Sequence, residues 1–371
     1  MERMPCTAPH LRLLTRVAVV VLAAVAATPA QAFDHESVAR RALERHIVPG
    51  YERLVTAAAA QAAALASVCD QPEAHHLQAA RSAFKNALMA WGRIEHIRFG
   101  PIAEQNRHDA LIFWPDPRGI ARRQIGRVLA QQEADALSPR ALASKSVAVQ
   151  GFSALDAVLF GSGSDAIGGS APAGRFRCGY ARALAVNIET VARATLGGWA
   201  DPAGFAGLWL NPAVTNPAFL TAKETTHASV QAYLTGLKQA RNVRLGGPLG
   251  LKGAGARPLE PVMPYSNLAI DLLIANIEGL RDLLIESGLS EPAPSGAPAH
   301  GVMQSVVTEL DLAIQRLRQI AGASPKPFGD GAARSQLIAL GFPLKNAHDA
   351  TLSAMTEAAG LTMGFNSLDG D

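Results

Sequence analysis

Aromatic residues make up only 5% of this 371-residue chain, and no long run alternates apolar and polar residues with period two. Both absences argue against sheets. Alanine and leucine dominate instead, and they favour helices. Charge is sparse and nearly balanced: 18% of residues are charged and the formal net charge is +3. Such a surface makes no electrostatic case for nucleic acid or for an anionic membrane. The phosphate-binding phrase G-x-x-x-x-G-K-[ST] is missing and no strand precedes the glycine-rich loops, which argues against the usual nucleotide cradles. Cysteine is nearly absent, at three residues.

What is present begins with an export-type N-terminus. Arg3, Arg12 and Arg16 make a basic start, residues 17–27 form an apolar run too short to span a bilayer comfortably, and Ala30-Gln31-Ala32 has the small-x-small form of a cleavage site. Residues 1–32 are therefore expected to be a signal peptide, with a mature chain from Phe33, a periplasmic location and no transmembrane segment. No cysteine follows the apolar run in a lipid-attachment setting, so a soluble exported protein is expected rather than a lipoprotein. Losing three arginines and one glutamate lowers the net charge from +3 to about +1. Cys6 leaves with the signal. Cys69 and Cys178 remain, and in an oxidising compartment they either pair or stay as two buried thiols. Pairing needs their Cα atoms within about 7 Å, which spacing along a chain does not reveal.

Helical spacing runs through the rest. Val38, Leu43, Ile47, Tyr51, Leu54 and Val55 recur three and four apart, and the alanine-rich run 57–66 extends the pattern, with Pro49-Gly50 expected to kink it. Pro72 and Glu73 open a second helix that carries Leu77, Phe84, Leu88, Trp91 and Ile94 toward Phe99. Residues 102–118 read as irregular because Pro115 and Pro117 bar a continuous helix. Further helices are expected at 120–133, from Ser138-Pro139 to about 161, and at 175–196, 218–238, 266–287, 300–321, 334–340 and 345–359. The Gly-, Pro- and Asn-rich stretch 197–217 is the best domain boundary. The expectation is an all-α protein of two helical bundles, 33–200 and 215–371, without a residue-level repeat.

The most informative stretch is 146–161, SVAVQGFSALDAVLFG. Phe152, Leu155, Val158 and Leu159 form an apolar stripe for a core. Ser153 and Asp156, three apart, lie side by side on one flank of that stripe, where a helix is half buried and meets something.

This segment resembles the signature helix of the imelysin-like proteins of the bacterial cell envelope, whose motif is Gly-x-His-x-x-Glu in a phrase such as GFHALEYLLFG. Gly151, the framing hydrophobics and the closing LFG match, whereas Ser153 stands at the histidine position and Asp156 at the glutamate position. Three more phrases resemble the family in order: 91–101 (WGRIEHIRFGP, with Glu95, Arg98, Phe99, Gly100 and Pro101 in place), 113–119 (FWPDPRG), and the C-terminal GFNSLDGD. The resemblance implies a two-bundle helical fold and a role near iron or other metal acquisition, and some family members are described as peptidases. Imidazole and glutamate at i, i+3 would place two metal ligands on one helix face, but a neutral hydroxyl is a poor ligand. The substitutions therefore argue against a metal at this helix, and no cofactor is expected.

A cleft is expected between the 146–161 helix, the 91–101 phrase and the 113–119 loop, with Ser153, Asp156, Glu95, Arg98, Trp114, Asp116 and Arg118 as ligand-binding candidates. Each has a structural alternative. Ser153 and Asp156 could tie down neighbouring loops, Glu95 and Arg98 on one helix could lock helices together as an ion pair, and Trp114, Asp116 and Arg118 could be a salt-bridged strap. A nucleophile elbow at Ser153 is excluded by Leu155 in place of the second glycine and by the helical setting. His75-His76, His108-Asp109 and His348-Asp349 are adjacent pairs without the i, i+4 geometry of helix metal sites, and His227 has no partner at that spacing. The functional expectation is a non-catalytic binding protein for an unknown small molecule or envelope partner. A metallopeptidase completed by other residues and an envelope scaffold are the alternatives.

Overall fold

The computed structural model describes Met1 and residues 33–251, 257–293 and 297–362. The expected signal peptide and the C-terminal phrase 364–371 lie outside the described residues. Among the described residues every regular element is helical, as the scarcity of β-formers requires. None of these helices is long and apolar enough to cross a membrane.

The chain enters through α1 (His35–Arg41), whose N-cap Asp34 accepts a hydrogen bond from the Ser37 N–H at 2.9 Å. A π-helical turn, Ala42–Ile47, then leads without a break into α2 (Val48–Asp70). Pro49 lies where this continuous helix passes from π to α and supplies no N–H to the turn before it, so the expected kink is realised as the π turn. Next come α3 (Ala74–Gly92) and a 3-10 segment, Gly100–Asn106, that runs into the short α4 (Arg107–Leu111); this last piece lies in a stretch expected to be irregular. The first half continues with α5 (Ile120–Gln131), α6 (Pro139–Ala143), α7 (Gly151–Phe160) and the long α8 (Pro172–Ala200). Ser138 caps α6 by accepting from Ala141 N–H, and a break at 144–150 separates it from α7. The signature helix is therefore shorter than the sequence suggested.

Helix α2 packs against both α3 and α8, and the disulfide Cys69–Cys178 pins the end of α2 to α8 with a Cα–Cα distance of 5.6 Å. The stretch 197–217 carries α9 (Phe205–Leu210) and an aromatic cluster. Phe99 stacks on Trp209 at 5.3 Å between centroids, Trp199 meets Phe205 edge-on at 4.9 Å, and Trp209 Nε1 donates to Ala39 O at 2.8 Å. The second half is built from α10 (Ala222–Lys238) with a π-helical extension, Gln239–Leu245, then α11 (Ala269–Ser287), α12 (Pro298–Ala323), α13 (Gly331–Ala339) and α14 (Gly341–Ala359). Helix α12 lies between α11 and α14, while α11 also packs on α3 and on the first π turn, and α1 packs on α10. The described residues from Phe33 onward hold together as one compact unit.

Two buried imidazoles meet where α11, the first π turn and the end of α3 converge. His46 Nε2 and His96 Nε2 lie 3.0 Å apart, so one ring donates and the other accepts, and at least one of them is neutral. Burial lowers the pKa of His46 to about 3, with Arg53 adding to the shift; burial and the neighbouring His46 hold His96 well below its ordinary value.

Two outcomes follow from this packing. The disulfide closes a loop of sequence separation 109. Reducing it, or replacing both cysteines by serine, is expected to lower unfolding free energy by about 2–5 kcal/mol in urea titrations. For the histidines, the folded pKa lies below the unfolded one, so their contribution is present above about pH 6.5 and is lost as pH falls. Each imidazole then contributes a slope of up to about 1.4 kcal/mol per pH unit. His46→Gln should make the decline in stability between pH 6.5 and 4.5 shallower than in the wild type.

Candidate functional site

Helix α7 begins flush against α4, and its first residue allows it. Gly151 has φ +64°, and a Cβ there would drive into the Ala110 and Leu111 carbonyl oxygens. Upstream, the Gln150 side chain donates to Lys145 O at 2.8 Å and accepts from Asn187 Nδ2 at 3.0 Å, and Tyr180 OH donates to Val149 O at 2.6 Å. These bonds hold the 144–150 break in one conformation. Phe152, Leu155, Val158 and Leu159 are all buried, as their spacing predicts.

The polar flank has a different fate at each position. Ser153 is half buried and its Oγ donates to Phe113 O at 3.3 Å, joining α7 to the 113–119 loop. Asp156 is fully buried, and its two oxygens accept from the backbone N–H groups of Tyr265 (3.1 Å) and Ser266 (3.0 Å). Burial pushes its pKa up to about 6, with Tyr265 and Ser266 opposing the shift. In the 113–119 loop, the Asp116 carboxylate accepts from Ile120 N–H and Ala121 N–H, both at 2.8 Å, and so caps α5. Trp114 donates from Nε1 to Glu260 O at 3.2 Å and presents its ring to the Arg244 guanidinium, 4.8 Å from the ring centroid.

Between these elements lies a cleft of about 600 Å³, counted to its open mouth. Trp114, Ile125, Met263 and Tyr265 supply apolar and aromatic walls, and Ser153 and Arg122 supply polar points. Ser153, Trp114 and Asp116 thus share one cleft. Asp156 stands behind its wall, and Arg118 is exposed away from the lining, with Arg122 in the place expected for it.

Glu95 and Arg98 fall in a second, smaller pocket. They lie in the turn after α3 and not on one helix. Glu95 Oε1 pairs with Arg244 and lies 3.6 Å from Arg98 Nη2, while Oε2 accepts from Asn276 Nδ2 at 3.0 Å. Burial pushes the Glu95 pKa up, but Arg244, Arg98 and Asn276 together outweigh it and hold the carboxyl below its ordinary value. Arg244, Arg122, Asn276, Met263 and Tyr265 were not legible as site residues, since each comes from a stretch without a motif.

A metal does not fit the signature helix. Both Asp156 oxygens are occupied by backbone N–H groups, Ser153 offers a hydroxyl bonded to a carbonyl, and among the described residues no three His, Cys, Asp or Glu side chains converge as ligands. His108 and His348 each bond the adjacent aspartate, at 3.3 and 2.9 Å. The geometry of α7 carries its own test: Gly151→Ala should cost about 3 kcal/mol or more in urea unfolding. Gly126→Ala in α5, where an added Cβ meets nothing within 4 Å, should be neutral or stabilising by about 0.5–1 kcal/mol.

Comparison with known proteins bears on the fold and the family. Iron-regulated protein A of Synechococcus elongatus is 22% identical over 210 residues, covering 56% of this chain and 53% of that protein, so the chain spans about half the length of this curated relative. An imelysin-like protein of Psychrobacter arcticum superposes with a TM-score of 0.74 at 18% identity, covering 90% of this chain and 99% of the other. A structure described as an iron-regulated protein A precursor, from Parabacteroides distasonis, gives 0.69 at 14% identity, covering 88% and 97%. At such identities these two structures speak for the fold alone. The imelysin family model matches residues 47–348, which takes in α2, the cleft, the small pocket and most of the second half; the chain belongs to the imelysin family.

Proposed function

We propose that this protein is an exported, non-catalytic binding protein of the cell envelope, which holds an organic ligand in the cleft between α7, the 113–119 loop and the 259–265 segment. The observation that carries this reading is the state of the signature pair. Asp156 has both oxygens occupied by Tyr265 and Ser266 N–H groups, so α7 uses its carboxylate to anchor the far wall of the cleft. Ser153, Trp114, Arg122 and Tyr265 line the cleft beside Asp116 and Glu260, a set suited to an amphipathic or aromatic organic molecule. The export-type N-terminus supports the location. Relatives named for iron regulation support a role tied to iron, through the ligand or through an envelope partner.

The experiment is metal content by elemental analysis together with calorimetric titration of iron, zinc and copper, on wild type and Asp156→Asn, beside a peptidase assay on casein. No stoichiometric metal, no difference in metal binding between the two proteins and no proteolysis are expected. A bound metal lost in Asp156→Asn would overturn the reading in favour of a metallopeptidase or metal carrier. In the source organism, a deletion strain is expected to grow poorly under iron chelation, and Ser153→Trp, which fills the cleft, should fail to restore growth where wild type succeeds.

A further inference from the structure

The cleft between α7, the 113–119 loop and the 259–265 segment carries two charges that its own walls do not use. Of the charged side chains that line it, Asp116 is committed, since its oxygens meet the Ile120 and Ala121 N–H groups at the start of α5. Arg122 and Glu260 remain. Both are exposed, and among the described residues neither side chain has an ion-pair or hydrogen-bond partner. Opposite in sign, they line one cleft without contacting each other.

Both charged heads are placed at the cleft by their surroundings. The Arg122 guanidinium folds back over Gly119, itself part of the lining: a Cβ built on that glycine would lie 3.5 Å from Nη2 and 3.9 Å from Nε. Glu260 is held through its carbonyl oxygen, which accepts from Trp114 Nε1 at 3.2 Å. Tyr265 stands within the field of both. Burial raises the pKa of its phenol, Glu260 adds to the shift and Arg122 opposes it, so the two charges act on one hydroxyl. That residue keeps 41% of its surface exposed, which leaves a large aromatic side chain uncovered at the mouth.

Two unpaired charges of opposite sign in an aromatic-walled cleft select among ligands. A neutral apolar molecule would desolvate both without offering either a partner, an anion would meet Arg122 but face Glu260, and a cation would do the reverse. A molecule with an ammonium and a carboxylate on one apolar body meets both, and a planar carboxylate matches the donor fork of a guanidinium. Resting on the reading of this cleft as a ligand site, we propose that its ligand is a zwitterion with an apolar body, an apolar amino acid or a short peptide of such residues. Its carboxylate meets Arg122, its ammonium meets Glu260, and its body lies against Trp114, Ile125 and Met263. A space of about 600 Å³ counted to the mouth accommodates a molecule of that size.

The test is calorimetric titration of L-phenylalanine and of L-phenylalanyl-L-phenylalanine. Each is compared with its N-acetyl form, which lacks the ammonium, and with its C-terminal amide, which lacks the carboxylate. Wild type, Arg122→Gln and Glu260→Gln are used; both side chains are exposed, so both variants keep the fold. At least one zwitterion should bind wild type about tenfold tighter than either of its blocked forms. Arg122→Gln should erase the advantage over the amide, and Glu260→Gln the advantage over the N-acetyl form. The tighter zwitterion tells amino acid from peptide. No binding of either zwitterion to wild type overturns the proposal, as do blocked forms that bind equally well or an advantage that both variants retain. Ser153→Trp separates that failure from failure of the cleft reading. A blocked form that binds wild type as well as its zwitterion does, but not Ser153→Trp, leaves the cleft a site for a different ligand. A zwitterion that binds Ser153→Trp as tightly as wild type takes the site out of the cleft and overturns both.

Discussion

A carboxylate without solvent exposure survives in a protein core only if its oxygens are met by donors, and Asp156 meets that condition with backbone N–H groups from a segment more than a hundred residues away. This one clamp connects the signature helix to the lead-in of α11. The segment just before Tyr265 supplies Met263, Pro261 and Glu260 to the cleft, so the far wall of the site is placed by Asp156 rather than by its own local structure. Substituting the shorter aspartate for a glutamate at this position is consistent with an anchoring role, since the anchored amides lie directly against α7. The raised pKa of Asp156 has the opposite sign from the buried histidines: its folded pKa exceeds the unfolded value, so it favours the folded state as pH falls from about 6 toward the ordinary carboxylate range.

A second long-range chain runs from Glu260 through Trp114 and Arg244 to Glu95 and Asn276. It crosses from the cleft to the small pocket by way of one aromatic face and one guanidinium. Removing Glu95 would leave Arg244 as a buried charge without its partner, which is why such a chain favours one arrangement of the turn after α3, the second π turn and α11. The disulfide and the aromatic cluster of Phe99, Trp199 and Trp209 do the corresponding work away from the site, with covalent and apolar contacts in place of polar ones.

The cleft and the small pocket differ in kind. The cleft offers aromatic walls with a few polar points, and the pocket sets the Glu95–Arg244 pair, Arg98 and Asn276 beside Leu280, Ala240 and two glycines. Glu95 and Arg98, grouped with Ser153 by the order of the sequence phrases, belong to the second environment. Asp116 belongs to the first, yet its carboxylate is committed to the N-terminus of α5. Ser153 and Trp114 line the cleft, although Ser153 also ties α7 to Phe113 and Trp114 also packs on the Arg244 guanidinium.

The sequence by itself determined the helical class, the buried stripe of Phe152, Leu155, Val158 and Leu159, the special place of Gly151 within its phrase, and the absence of a histidine–glutamate pair. The class and the stripe depend on neighbours three or four residues apart, which helical periodicity makes readable along the chain, whereas the place of Gly151 and the missing pair are read from the resemblance to the imelysin signature phrase. Only the tertiary structure decided that Asp156 is an anchor, that Cys69 pairs with Cys178, that Arg244 completes the site of Glu95, and that the π turns carry His46 and Arg244 inward. Those relations join residues some 50 to 150 positions apart, and no local pattern encodes which distant donor a buried acceptor will find; that is set by the path of the folded chain and by the requirement that every buried charge be met.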